Sequence, residues 1–265
     1  MKKTFVTMVM LVFVCASWGL AAYAAHPLRA AGARGTVSGQ IIIKGQGPMI
    51  GGMVFFLDEA EGIPPSSTRY WRVPTHAFRL NENSGFSVSL PEGTYFMGAI
   101  ERASGELLGP PEEGDYFFVS QDSRGNPKRL TVWKNANIDL GILDDAAQFK
   151  RGNLASKGIT AIEGLIHDIH GNPAEGMIVA AYTNQEMYGK PVFVSERVGK
   201  DGRFVLRVDK GGTFYLIARA DYTGGPPAPE EFIGFTRESR PVKVKTGKIS
   251  KGVDITIWPA QMLLE

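Results

Sequence analysis

Cys15 is the only cysteine among the 265 residues. It lies inside an N-terminal apolar stretch, so a chain that loses that stretch has no disulfide to staple it and relies on core burial. The residue before it, Val14, is bulkier than the small residue of a lipoprotein signal, which argues against lipidation. Other absences exclude whole chemistries. There is no Gly-x-Ser-x-Gly elbow, and outside the leader no cysteine nucleophile. No Gly-x-x-x-x-Gly-Lys-Ser/Thr loop occurs, and "GQGPMIGG" leads into another strand pattern where phosphate binding needs a helix N-terminus. Covalent haem would need Cys-x-x-Cys-His, which is missing. No run of Lys or Arg offers nucleic acid a basic stripe. Beyond the leader nothing approaches the roughly 20 apolar residues of a membrane helix, so the cleaved chain is expected to have no span. Long segments of helical period are missing too, which sets aside α/β folds.

What is present begins with Lys2 and Lys3, an apolar stretch over residues 6–20, and Ala22-Tyr23-Ala24. This is the pattern of a signal peptide over 1–24, followed by a small, basic lead-in over 25–34. It predicts an exported protein, periplasmic, cell-surface or secreted. Of 29 Lys and Arg, two leave with the leader, so 27 face 27 Asp and Glu. A balanced chain is a poor ligand for a polyanion.

The rest of the sequence is written twice. "GQIIIKGQGPMIGGMVFFL" (39–57) and "EGLIHDIHGNPAEGMIVAAY" (163–182) share a strand-turn-strand plan. "SGFSVSLPEGTYFMGAI" (84–100) matches "DGRFVLRVDKGGTFYLIA" (201–218), with Phe86, Val88, Leu90 and Phe204, Leu206, Val208 alternating along a strand. The loops "GPPEEGDYFF" and "GGPPAPEEFIGF" follow, then a closing pair bearing Ile138-Asp139-Leu140 and Val253-Asp254-Ile255. Four blocks in one order imply an internal duplication. The expected architecture is all-β: two tandem Ig-like or transthyretin-like antiparallel sandwiches, over 35–143 and 158–258, each with its own core. A polar linker over 144–157 with a helical turn joins them, and 259–265 forms a tail.

The second copy resembles the carboxypeptidase regulatory-like domain. The resemblance rests on Gly164, the Asp168-Ile169-His170-Gly171-Asn172-Pro173 turn, Gly176-Met177-Ile178-Val179, Asp201-Gly202-Arg203-Phe204 and Gly212-Thr213-Phe214, within residues 160–258. The first copy is divergent: it lacks the turn aspartate near 44–48, and Ser84-Gly85-Phe86 replaces Asp-Gly-x-Phe. The resemblance implies a prealbumin-like sandwich that binds, spaces or regulates beside another protein and is not itself catalytic. It brings framework residues and no binding residue.

Two candidate sites remain. Pro110-Pro111 and Pro226-Pro227 cannot donate to a sheet ladder, so both loops leave the sheet and carry Glu112, Glu113, Asp115, Glu230 and Glu231 to a sandwich end. Clustered carboxylates could hold Ca²⁺, but the Asp-x-Asp-x-Asp-Gly spacing is missing, so no cofactor is assigned and solvated loops are expected. Tyr70 and Trp71, between Arg69 and Arg72, are expected to pack; exposed on one flat patch they would suit a sugar or a protein. His167 and His170 stand three apart on a strand and face opposite ways, so no metal is assigned. The sequence therefore predicts a non-catalytic binding or scaffold protein acting on an envelope protein or polysaccharide. The alternatives are a carbohydrate-binding protein and, behind it, a hydrolase or metalloenzyme. Oligomeric state is not encoded legibly.

Overall fold

A computed structural model describes residues 32–263 except 67, 107–108, 151, 153–154, 156 and 221–225. The expected signal peptide over 1–24 and most of the expected lead-in therefore lie outside the described residues. The first half forms β1 (Arg34–Ile43), β2 (Gly47–Pro48), β3 (Met53–Asp58), β4 (His76–Arg79), β5 (Gly85–Pro91), β6 (Gly93–Glu101), β7 (Tyr116–Val119), β8 (Arg129–Val132) and β9 (Asn137–Gln148). The second forms β10 (Thr160–His167), β11 (Ile178–Tyr182), β12 (Phe193–Val194), β13 (Arg203–Val208), β14 (Gly212–Arg219), β15 (Phe232–Thr236), β16 (Val242–Val244) and β17 (Ile249–Pro259). The fold is all-β.

Both halves follow one pairing plan. The first runs β2-β1-β9-β7-β6-β3-β4, with β5 on β1 and β8 on β6. The second runs β12-β11-β14-β15-β17-β10-β13, with β16 on β14. Pairing is antiparallel except for β1 with β9 and β10 with β17, which are parallel. The last strand of each half crosses between layers: β9 leaves β1 to reach β7, and β17 leaves β10 to reach β15.

Alternation builds the cores. Phe86, Val88 and Leu90 of β5 meet Val37 and Ile41 of β1, Val54 and Phe56 of β3, and Tyr95 and Met97 of β6 in one cluster. In the second half Phe204, Leu206 and Val208 meet Ile162, Ile166, Val179, Leu216 and Ile255. Each such side chain contributes about 1.5–3 kcal/mol when fully buried. Gly164 is dictated by close approach: a Cβ there would lie 1.6 Å from the Val253 carbonyl oxygen, so β10 and β17 could not pair.

Two expectations need correction. Residues 144–148, read as the start of a linker, are the end of β9, with Ala146 buried beside Ile43 and Ala147 and Gln148 paired to Phe117 and Tyr116. Their exposed aspartates belong to a strand whose outward positions are solvated. Nor are the two cores separate. Tyr70 of the first half sits in the second core, with its ring 6.3 Å from that of Phe193. Around it, Arg72 bridges Phe193, and the Val73 N–H donates to the Val192 carbonyl at 2.9 Å. The segment between β3 and β4 thus extends the edge of the second sandwich at β12.

Candidate binding cleft

The doubled Gly-Pro-Pro loops share an internal clasp. Asp115 and Glu231 each immediately precede the matching strand, β7 or β15. Glu112 N–H donates to the Asp115 carboxylate at 2.9 Å, and Asp115 N–H returns a bond to the Glu112 carbonyl at 3.1 Å. Ala228 N–H donates to Glu231 at 3.2 Å, and Glu231 N–H returns one to Ala228 at 2.9 Å. An arginine closes each turn. Arg219 grips Glu231 through two bonds of 2.7 and 2.8 Å. Arg102 lies 3.6 Å from Asp115 and donates to the carbonyls of Gly109 and Pro110. Burial pulls the Arg102 pKa below its ordinary value, and Asp115 acts against that.

These contacts relocate the sequence candidates. Asp115 is buried and not at a solvated tip, because its carboxylate caps its own loop. Glu231 is held by Arg219, whereas Glu113 and Glu230 are exposed and Glu112 is half-buried. No group of three or more His, Cys, Asp or Glu side chains among the described residues could hold a metal ion. Tyr70 and Trp71 do not form a shared exposed patch. Both are buried, Tyr70 in the second core and Trp71 against the outer face of the first sandwich. Successive residues of an extended segment point opposite ways, which separates them. The Tyr70 hydroxyl lies 2.8 Å from the Ile63 carbonyl oxygen and 2.9 Å from that of Pro64. Buried there, with Asp209 nearby, it is pushed up to a pKa of about 12.

The same segment walls a cleft of about 810 Å³ on the first sandwich. Its floor is the outer face of β3, β6 and β7: Phe55, Leu57, Phe96 and Phe117, joined by Trp71. Phe55 stacks on Phe117 at 6.2 Å, and Trp71 meets both rings at 5.8 and 6.0 Å. Pro64, Pro65 and Ser66 form one wall, Asp122, Pro127 and Lys128 another, and Leu143 and Asp145 of β9 stand at the mouth. The Asp122 wall is a rigid turn: its carboxylate accepts from the N–H groups of Arg124 and Asn126 at 2.8 and 2.9 Å. Asp168 does the same with His170 and Asn172 at 2.8 and 2.9 Å. The Asn126 N–H leads in holding the Asp122 carboxyl below the usual range, and for Asp168 the Asn172 side-chain amide, donating at 2.9 Å, leads, with the backbone N–H groups adding to it. The Asp-x-x-Gly-Asn-Pro turn is thus present in both halves, after β7 in the first and after β10 in the second.

The cleft exists because β7 and β9 part. In the second sandwich β15 and β17 pair along their whole contact, from Phe232 with Pro259 to Thr236 with Ile255. In the first only Tyr116 and Phe117 pair, with Gln148 and Ala147. A register shift between Ile41 and Ile43, beside Leu143 and Ala146, bulges β9 at Asp144 and Asp145 and turns it off β7. The residues that floor and open the cleft, Phe55, Phe96, Phe117, Val119 and Asp145, were not singled out by sequence reasoning. The available signal was the second Asp-x-x-Gly-Asn-Pro turn.

No protein-family model matches the chain, and no curated protein matches it in sequence. Among solved structures it is similar to the TIE protein of Bacillus anthracis, at 13% identity and TM-score 0.26, covering 84% of this chain and 34% of that one. It is also similar to a Streptococcal ancillary pilin, at 12% and 0.25, covering 85% and 63%. A family DUF3823 protein from Bacteroides uniformis aligns at 11% and 0.24, over 79% of this chain and 98% of that one. The chain thus spans about a third of the first of these and under two thirds of the second. The strand pairing, and not these likenesses, defines the fold.

Proposed function

We propose that this chain is a non-catalytic, exported binding protein of the cell envelope, built on two carboxypeptidase regulatory-like sandwiches, and that the cleft on the first is its ligand site. One observation carries the reading: an aromatic-floored cleft of about 810 Å³ opens at a place where the duplicated half is closed. Clefts of this size with an apolar floor and a few polar groups at the rim suit ligand binding. The charged groups lining it are Asp122, Asp145 and Lys128, and Asp122 is committed to its own turn. That arrangement supports recognition over acid–base chemistry.

The test uses the mature chain and Val119→Trp, which places an indole on the cleft side of β7. Both are immobilised and challenged with solubilised envelope proteins and with isolated envelope polysaccharide. The wild type should retain a component that the variant loses at an unchanged melting temperature. Equal retention by both would refute the cleft as the site.

A further inference from the structure

We infer that the cleft takes an extended peptide, bound by strand addition to the open edge of β7, with apolar side chains at alternate positions and a Lys or Arg beside Asp145. This rests on the cleft being the ligand site. In an antiparallel ladder the N–H and C=O of one residue point to the same side, and the side alternates along the strand. Here Phe149 N–H donates to the Asp115 carbonyl at 2.7 Å, so odd-numbered residues of this segment face β9. Ser120 N–H donates to the Met97 carbonyl at 3.0 Å, so even-numbered residues face β6.

Val119 and Gln121 therefore turn their backbone groups toward the gap, where β9 has moved away. Gln121 is bridged to Pro127 through its neighbours, with Asp122 N–H on the Asn126 carbonyl and Lys128 N–H on the Ser120 carbonyl, and among the described residues no backbone hydrogen bond reaches Val119 or Gln121 from the gap side. An unpaired strand edge is a template for another strand, and alternate side chains of the added strand enter whatever pockets flank it. The second sandwich shows the filled arrangement. Val119 follows Asp115 by four residues, as Phe235 follows Glu231, and Phe235 is paired with Thr256 of β17. A peptide on β7 would make the pairing β17 makes there, and send every second side chain toward Phe55, Trp71, Phe96 and Phe117. The charge pattern fixes its polar part. Asp145 is exposed at the mouth with Asp144 next to it, and this acidic bulge favours a basic residue on the occupant.

The probe is a labelled peptide copying residues 253–258, the strand that fills the equivalent edge, with a lysine added at each end. Its binding is followed by fluorescence anisotropy. Val119→Pro removes one N–H that faces the gap and none that faces β6, and it should weaken binding about tenfold, the loss expected for strand-pairing bonds. The same peptide N-methylated on alternate residues should lose as much against the wild-type chain, a measurement that stands even if Val119→Pro fails to fold. Asp145→Lys should weaken the lysine-flanked peptide and favour one flanked by glutamates. Undiminished binding of the N-methylated peptide, or of the probe to a folded Val119→Pro chain, overturns strand addition. If Val119→Trp still abolishes capture of an envelope component, the cleft stands and only the peptide inference falls.

Discussion

Asp115 and Glu231 hold the same place in two different sandwiches, each one residue ahead of a strand and each clasped by an arginine: Arg219 at the end of β14, and Arg102 one residue past the end of β6. Their partners differ in register. Arg219 occupies the position of Ile100, and Arg102 lies two residues further along, on the same side by strand period.

The clasp predicts an asymmetry between single and double substitutions. Arg219 is nearly buried and Glu231 mostly so. Arg219→Ala or Glu231→Ala alone strands a charge and should cost roughly 3 kcal/mol in urea unfolding. Arg219→Met with Glu231→Leu removes both charges and should cost much less. Equal losses from single and double variants would mean that the loop is held by something else.

Tyr70 links the halves. Tyr70→Ala should cost about 3–5 kcal/mol, as for other large aromatic truncations, and the loss should be seen in the second sandwich. A fragment of residues 158–258 should be less stable than the same sandwich in the whole chain, because Tyr70 and the Val73–Val192 bond leave with the first half. Differential scanning calorimetry of fragment and chain checks this. A fragment that melts where the whole chain does would show that Tyr70 adds nothing.

His76 gives a pH signature. Its half-buried ring stacks on Phe78 and contacts Tyr95, and desolvation, with Lys190 adding to it, lowers its pKa below the ordinary value. The unfolded state then takes up the proton first as pH falls. The stabilisation is complete above about pH 6.5 and is lost as pH drops toward the lowered value. Melting temperature should decline through that window in the wild type and decline less in His76→Phe. Identical profiles would remove His76 as the cause.

The shared strand plan of the two halves and the alternating strands were legible because period two and glycine spacing are local. Phe86, Val88 and Leu90 point inward as their spacing requires. The closing triplets misled: Asp139 pairs beside Ser38, before Gly39, whereas Asp254 pairs beside Leu165, after Gly164. A bulge adds a residue without a composition change, so the sequence hides it. The same holds for the cleft, which arises from the bulge at Asp144 and Asp145, two residues that read as linker. Tyr70 was legible as a packed aromatic, but not as one packed in the other half, since no local pattern encodes a contact that distant in the chain.

The first sandwich is open where the second is closed. Amide hydrogen exchange on the protein, read separately for residues 118–121 and 232–236, tests this most directly. Backbone groups without ladder partners exchange readily, and paired ones in a core strand are protected. Val119 and Gln121 should exchange fast in the free protein while Phe235 is protected, and the lysine-flanked peptide should slow the first pair alone. Protection of Val119 and Gln121 equal to that of Phe235 in the free protein would contradict the open seam.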